Sequence, residues 1–261
     1  MNNYGFIRTA AAVPAIRLAD TRANAKEICR LIEEALAKEV SLLVFPELSL
    51  TGSTCGDLYR QERLLKGAED GIREILEFTL DKRICVVVGT PVRHAGRLYN
   101  CAAVIKDGEL LGMVPKTYGN DGTPFCSESH SHDQIFANEI RYAGQYCLLS
   151  TSQLFDTGEA TFAIELGDDL WSPAAPSSSH ALCGAQLIVN LSASAEILFR
   201  NKIRQVRTGK GFSQDKLANM VGTTRQTIIA IEKNQFNPSA KLAYLLCVAL
   251  DTKFEDLFYV E

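Results

Sequence analysis

The sequence has no apolar run of the roughly 18 residues that a membrane-spanning helix needs, and its polar start, MNNYGFIRTA, has no signal-peptide core. We therefore expect a cytoplasmic protein without a membrane partner. Its 8 cysteines include no CxxC pair. This argues against a zinc or disulfide framework and predicts reduced thiols that are buried as small hydrophobic side chains. The chain also lacks GxxxxGK[ST] and SGGxDS nucleotide-binding loops, and we predict no cofactor.

Charge is unevenly distributed along the 261 residues, whose formal net charge is -4. Residues 200–261 contain 10 Lys and Arg against 6 Asp and Glu, whereas the preceding residues contain 17 against 25. The positive charge is concentrated in residues 200–237, where 8 basic residues accompany 2 acidic ones. A basic segment in an otherwise acidic chain is typical of proteins that bind nucleic acid.

Apolar stretches of strand length alternate with helical patterns through the larger, N-terminal part, which predicts a layered α/β domain. Helices are predicted from a cap at Asp20 to about Lys38, over residues 61–80 and briefly after Pro176. Strands are predicted at residues 5–13, 41–45, 84–89, 98–105, 109–114, 146–149, 160–166 and 187–190. Asp107-Gly108 joins two of them as a hairpin. Residues 119–138 are predicted to form a long loop.

Helical patterns fill nearly everything beyond Ser194, which predicts two domains, residues 1–196 and 197–261. The second is expected to be all-helical, with helices at residues 196–207, 213–220, 224–233, 240–250 and 254–258. Two short helices around Val221-Gly222-Thr223 are typical of a helix-turn-helix, in which the glycine suits a backbone position with positive φ.

Polar side chains suited to DNA open the helix after this turn. Arg225 can pair with guanine and Gln226 with adenine, while Thr224 and Thr227 can contact phosphate or a thymine methyl group. Gln214 begins the preceding helix, where it can hold a phosphate. General positive charge comes from Lys202, Arg204, Arg207, Lys210, Lys216 and Lys233. The alternative is that these residues only form a solvated helix face.

The segment FSQDKLANMVGTTRQTIIAIEKNQFNPSAKLAYLLCVALDTKFEDLF resembles the bacterial XRE-type regulators, the Cro-like and lambda-repressor-like family. The resemblance implies a five-helix domain that binds double-stranded DNA, with the helix from Thr224 in the major groove. It implies Arg225, Gln226 and Thr227 as base readers and Gln214 as a clamp on the DNA backbone. Because one such helix reads only a few base pairs, we expect a homodimer with recognition helices about 34 Å apart.

Isolated polar residues follow strands in the first domain, namely Glu47 in VFPELSLTG and Lys116 in MVPKTY. Singly, each is consistent with a surface charge. Together with IELGDDLWSPAAPSSSHALCGAQLIVNLSAS, they resemble the nitrilase superfamily, and within it the glutamine-hydrolysing half of glutamine-dependent NAD synthetase. The resemblance implies an α-β-β-α sandwich, truncated at its C-terminal end. It also implies Glu47 as general base, Lys116 as oxyanion-stabilising group and a cysteine nucleophile where this chain has Gly167.

Gly167 has no side chain to attack an amide, so we predict a DNA-binding regulator with a catalytically inactive amidase-like domain. That domain could supply dimerisation or bind a small amide. Two alternatives remain open, a glutamine amidohydrolase that supplies ammonia for NAD synthesis, and an inert relic of a gene fusion. Cys126 and Cys183 are the nearest cysteines in sequence, but neither has the strand-end position of the nucleophile.

The predicted loop contains further polar residues whose roles are less defined. Glu128 is a candidate for a second acidic residue of the amidase-like site. His130 and His132 lie in the same loop, and we predict no metal role for them.

Overall fold

The computed structural model describes residues 6–118, 124–126, 137–193, 199–233, 238 and 240–260. The chain divides into two compact units, Met1–Ser194 (the N-terminal unit) and Ala195–Glu261 (the C-terminal unit). Among the described residues, no helix combines the length and the apolar character needed to cross a bilayer. All eight cysteines are free thiols; Cys183 is exposed, Cys126 is half-buried and the other six are buried.

A seven-stranded mixed sheet organises the N-terminal unit. Its strands are β1 Thr9–Ala11, β2 Leu42–Val44, β3 Cys85–His94, β4 Arg97–Lys106, β5 Glu109–Pro115, β6 Ala137–Tyr142 and β7 Gln145–Ser150, in the order β1-β2-β3-β4-β5-β7-β6. β1, β2 and β3 are parallel, and β3, β4 and β5 are successive antiparallel hairpins. The hairpin predicted at Asp107-Gly108 is therefore confirmed. β7 pairs parallel with β5 and antiparallel with β6.

A second, three-stranded sheet packs against the first. It consists of β8 Leu154–Asp156, β9 Thr161–Leu166 and β10 Leu187–Leu191, with β9 in the middle, parallel to β10 and antiparallel to β8. Side chains of both sheets share one buried cluster, which includes Leu42, Val87, Val104, Phe162, Ile164 and Leu166. Every second residue of β9 points into this cluster, as the pleat of a strand requires.

Two long helices cover the other face of the seven-stranded sheet. They are α1 Thr21–Ala37, capped by Asp20 as predicted, and α2 Glu62–Thr79. Their fully buried residues, among them Ile28, Ile32, Ile72 and Ile75, pack against β3 and β4 in a single cluster. A short helix, α3 Pro176–Leu182, packs against β9 and β10. The predicted layered α/β architecture is confirmed.

In the N-terminal unit, the first predicted strand was wrong in extent, and two of the observed strands were not predicted. Within the described residues, the first strand covers only Thr9–Ala11 of the predicted 5–13. β6 begins at Ala137, at the end of the predicted loop, and β8 was not predicted. β6 is an edge strand whose exposed residues include the charged Glu139 and Arg141, and β8 has 3 residues, so neither has a clear apolar pattern.

The C-terminal unit contains the five predicted helices. They are α4 Ile203–Gly209, α5 Gln214–Met220, α6 Arg225–Glu232, α7 Ala240–Ala249 and α8 Phe254–Leu257. The predicted helix over residues 196–207 is wrong in its first part, because Phe199–Asn201 forms strand β11. This strand pairs antiparallel with β12, Phe258–Val260, which begins at the last residue of the predicted final helix. Strand pairing between segments so far apart in sequence leaves no local signal.

The α5–turn–α6 segment packs through its apolar residues into the core of the C-terminal unit. Leu217, Ala218, Val221, Ile228 and Ile231 are all buried in one cluster with residues of α7 and α8. The turn contains Gly222 with φ of +68°, a left-handed conformation that glycine adopts without strain. The helix-turn-helix predicted from the sequence is therefore present.

Candidate functional site

Three chain segments that follow strands bring Glu47, Lys116 and Gly167 together in the N-terminal unit. Glu47 lies three residues after β2, while Lys116 and Gly167 directly follow β5 and β9. Lys116 Nζ is 3.8 Å from Glu47 Oε2, and the two side chains are only 13% and 9% exposed. The structure thus gathers into one buried cluster the three positions that the sequence singled out.

The backbone of Gly167 is oriented towards both charged groups. A Cβ atom on Gly167 would lie 2.9 Å from Lys116 Nζ and would overlap Glu47 Oε1. A side chain at this position would therefore project between a carboxylate and an ammonium group, the arrangement that activates a nucleophile. Because residue 167 is glycine, the Glu47 carboxylate occupies that volume itself.

Asn100, in the middle of β4, is a member of the cluster that the sequence did not reveal. Its Nδ2 donates to Glu47 Oε2 at 2.5 Å, and its backbone carbonyl accepts from the Lys116 N–H at 2.8 Å. Asn100 is buried, and it is the one polar side chain between Tyr99 and Ile105 in an otherwise apolar strand. That isolated amide was the available signal. One residue thus orients both the carboxylate and the chain that carries the lysine.

Burial raises the pKa of Glu47 above its ordinary value. The Lys116 charge and the Asn100 hydrogen bond lower this pKa, but they do not cancel the cost of removing the carboxylate from water. A carboxylate with a raised pKa is a stronger proton acceptor than an exposed one. The cluster therefore contains a carboxylate with a raised pKa and, at residue 167, no side chain.

Asp169 connects the two turns that carry Lys116 and Gly167. Its carboxylate is fully buried and accepts from the backbone N–H groups of Thr117 and Tyr118, both at 2.9 Å. Burial raises the pKa of Asp169, and the hydrogen bonds from these two N–H groups oppose that rise. On the other side, Asn190 Nδ2 donates to the Gly167 carbonyl at 3.1 Å. The backbone around residue 167 is therefore held from both directions.

Of the other polar candidates of the N-terminal unit, the structure describes two, Cys126 and Cys183. Cys126 is half-buried, and its N–H donates to the Leu98 carbonyl at 2.7 Å. Cys183 is exposed at the C-terminal cap of α3. Glu128, His130 and His132 lie outside the described residues. Within the described ranges, no group of three or more His, Cys, Asp or Glu side chains could hold a metal ion.

In the C-terminal unit, the predicted DNA-contacting residues lie at the start of α6. Thr224 is its N-cap: its hydroxyl accepts from the Thr227 N–H at 3.2 Å and lies 2.9 Å from the Thr227 hydroxyl. Arg225 and Gln226 are exposed beside this cap, and Lys233 is exposed at the other end of the helix. The first turn of α6 thus presents a contiguous polar surface.

Gln214 is held by a buried network that sequence reasoning missed. Its Nε2 donates to Glu232 Oε2 at 2.9 Å. Glu232 also accepts from Arg207 Nε at 2.5 Å and from Arg207 Nη2 at 3.3 Å, with the Arg207 and Glu232 side chains 9% and 3% exposed. Arg207 was predicted to supply general charge, but its guanidinium is buried and joins α4 to the end of α6.

Comparison with known proteins is consistent with this geometry. The carbon-nitrogen hydrolase family model matches residues 8–220. The glutamine-dependent NAD(+) synthetase of Mycobacterium tuberculosis is 32% identical over 211 residues, which are 78% of this chain and 30% of that protein. The solved glutamine-dependent NAD(+) synthetase from Cytophaga hutchinsonii superposes with a TM-score of 0.62 at 25% identity, covering 83% of this chain and 33% of that one. The chain therefore spans about a third of the length of these relatives.

The C-terminal unit has its own match. The helix-turn-helix family model covers residues 203–257. The uncharacterized HTH-type transcriptional regulator YgzD of Bacillus subtilis is 47% identical over 62 residues, which are 24% of this chain and 94% of that protein. The chain belongs to the carbon-nitrogen hydrolase family, and it carries in addition a C-terminal helix-turn-helix domain of the XRE type.

Proposed function

We propose that this protein is a sequence-specific, double-stranded-DNA-binding transcriptional regulator that acts in the cytoplasm and whose carbon-nitrogen hydrolase unit is catalytically inactive. The observation that carries the proposal is the exposed polar first turn of α6 on a complete helix-turn-helix core. The similarity to an HTH-type regulator along 94% of that protein supports it.

In this proposal α6 enters the major groove with its N-terminal end towards the bases. Arg225 and Gln226 then read base edges, with Thr227 beside them. Thr224, whose hydroxyl caps the helix, contributes through its position next to the DNA backbone. Gln214, fixed by Glu232, contacts a phosphate from the start of α5. Lys233 adds positive charge without reading sequence.

We further propose that the protein binds as a homodimer. A single recognition helix discriminates weakly against the competing sites of a genome, and two copies on a palindrome multiply the discrimination. The recognition helices would then lie about 34 Å apart, one turn of the duplex.

Duplex selection from a randomised pool, followed by affinity measurement, tests DNA binding. The wild-type chain is expected to enrich one sequence, and Arg225→Ala with Gln226→Ala is expected to lose that preference. Lys241→Ala, which removes an exposed cation from α7, is the matched control and should keep it. Affinity should fall by about 0.9 log units per phosphate contact for each log unit of salt. Failure to retain any duplex at low salt would contradict the proposal.

The inactivity of the N-terminal unit is proposed from Gly167. A solved form of the amidase from Nesterenkonia sp. AN1, which shares the fold with a TM-score of 0.56 at 17% identity, carries acrylamide on an active-site cysteine. The cluster described here has the base and the cation, but glycine at the position of the thiol. Removing the nucleophile of a covalent hydrolase costs on the order of 10⁶ in turnover. The unit could instead bind a small amide without cleaving it.

Ammonia release from glutamine tests this inactivity. The wild-type chain is expected to release none above background. Gly167→Cys would place a thiol between Glu47 and Lys116. The positive φ of +51° costs about 1–2 kcal/mol, and the Glu47 carboxylate must also move, because a Cβ at this position overlaps Oε1. Gly167→Ala has the same backbone strain without a thiol and serves as the control. Enzyme-like ammonia release by the wild type, or a thioester trapped with a glutamine analogue, would favour a glutamine amidohydrolase instead.

A further inference from the structure

Two acidic residues, Asp215 and Glu232, interrupt the otherwise basic residues 200–237. Glu232 has an evident structural role, because its buried carboxylate neutralises the buried guanidinium of Arg207. Asp215 has no such role. It lies in the first turn of α5, and its side chain is 64% exposed.

The position of Asp215 opposes DNA binding on electrostatic grounds alone. It directly follows Gln214, the proposed phosphate contact, so its carboxylate would lie near the DNA backbone and repel it. An exposed ion pair stabilises a fold little, and a negative charge in the first turn of a helix is only mildly favourable. Neither affinity for phosphate nor folding stability accounts for an acidic residue at this position.

The contact that Asp215 makes offers a different role. Its Oδ2 lies 3.7 Å from Nε of Arg225, the proposed guanine reader at the start of α6. A guanidinium has five N–H donors, one on Nε and four on the two Nη atoms. An ion pair through Nε leaves the fork of four N–H donors on the two Nη atoms available to a base. That fork makes the bidentate contact to O6 and N7 of guanine.

We propose that Asp215 is a specificity-determining positioning residue that orients Arg225 towards a guanine and also lowers the affinity of the domain for DNA backbone. The inference rests on the proposed function. Sequence preference then depends on a residue that touches no base. The Asp215 carboxylate increases the sequence preference of the domain and lowers its affinity for phosphate. On removal of the carboxylate, a simple charge effect leaves the ratio of specific to non-specific binding unchanged, whereas loss of the positioning effect lowers it.

The test compares the full-length wild type with Asp215→Asn on two duplexes, the sequence selected by the wild type and a scrambled duplex of the same composition. Affinity for the scrambled duplex is expected to rise, because a negative charge is removed. The specific-to-non-specific ratio is expected to fall about two- to fivefold, the range of an exposed charge pair. In an Arg225→Ala background, Asp215→Asn should leave the ratio unchanged.

Two further measurements separate positioning from charge. The guanines of the selected duplex can be replaced with 7-deazaguanine, which lacks the N7 acceptor. This replacement should reduce the affinity of the wild type more than it reduces the affinity of the Asp215→Asn variant. Asp215→Glu retains the charge and should restore part of the ratio. Asp256→Asn, which removes an exposed aspartate from α8, is the matched control and should not change the ratio.

The outcomes distinguish this inference from the proposed function. If Asp215→Asn strengthens binding to both duplexes equally, Asp215 acts only as a charge and the inference is wrong, while DNA binding stands. If the ratio falls equally in the Arg225→Ala background, Asp215 does not act through Arg225, and the inference is again wrong. If the wild type selects no sequence at all, the proposed function fails and the inference fails with it.

Discussion

Replacing Glu232 with glutamine is expected to destabilise the C-terminal unit strongly, with little effect on the stability of the N-terminal unit. The Glu232 carboxylate accepts two hydrogen bonds from Arg207 and one from Gln214, and Arg207 Nη1 also donates to the Phe212 carbonyl at 2.6 Å. Glutamine keeps the size of the side chain but removes its charge. A guanidinium that is 9% exposed would then be buried without a counter-charge.

The expected cost is large relative to the stability of so small a unit. Removing one partner of a buried ion pair costs about 3–5 kcal/mol. A unit the size of Ala195–Glu261 is expected to have a total stability of about 3–10 kcal/mol, at 0.05–0.15 kcal/mol per residue. The unfolding midpoint of this unit should therefore fall by about 12 °C or more. Thermal melts with hydrogen exchange on peptides from residues 203–257 would localise the change.

Two controls make the result interpretable. Asp215→Asn disrupts an exposed pair at 3.7 Å and should cost less than about 1 kcal/mol. Replacing both partners, Arg207→Met with Glu232→Leu, removes the buried charges together and should be close to neutral. A loss below about 1 kcal/mol for Glu232→Gln, or an equal loss for the double replacement, would refute the reasoning.

Three further predictions concern Gly89, which contacts the backbone next to Glu47, Glu47 itself, and Thr224, the N-cap of α6. Gly89→Ala places a Cβ against the backbone of Pro46 and Leu48, so we expect about 3 kcal/mol of destabilisation in urea unfolding. An unchanged urea midpoint would show that this backbone can move to accept the Cβ. Glu47→Gln should stabilise the N-terminal unit at pH 7. Folding raises the pKa of Glu47, so the carboxyl group makes the unit less stable as the pH rises above the unfolded-state pKa near 4.5. The gain should vanish in melts at pH 4, and it would be absent at both pH values if burial did not dominate the pKa. Thr224→Ala should cost about 1 kcal/mol of C-terminal-unit stability in thermal melts, whereas Thr224→Ser should retain the cap and the stability. A serine variant as unstable as the alanine variant would show that the cap is not made.

Local sequence patterns predicted the elements whose signals are local. The Asp20 cap, the Asp107-Gly108 hairpin and Gly222 between α5 and α6 all had the expected conformations. The strands β6, β11 and β12 were missed or taken for loop or helix. β6 is a polar edge strand, and β11 and β12 owe their hydrogen bonds to each other across the whole C-terminal unit. Such pairing depends on which segments meet, and a window of sequence does not contain that information.

The candidate sites show the same division. Motifs picked out Glu47, Lys116 and Gly167, and the structure placed them together. The role of Asn100 depends on its register in β4, where it pairs with Pro91 and its side chain reaches Glu47, and that register is a property of the sheet. In the same way, the charge count showed that residues 200–237 are basic, but it did not show which cation is buried.

The sequence by itself predicted the layered α/β architecture and the helix-turn-helix, and it places a glycine at residue 167, since each depends on residue identity or on a pattern within a few turns of chain. The tertiary structure alone decided how these residues act. It filled the space at Gly167 with the Glu47 carboxylate, buried Arg207 against Glu232 and set Asp215 beside Arg225. Distances between side chains on different elements, and the loss of water around them, arise only when those elements pack.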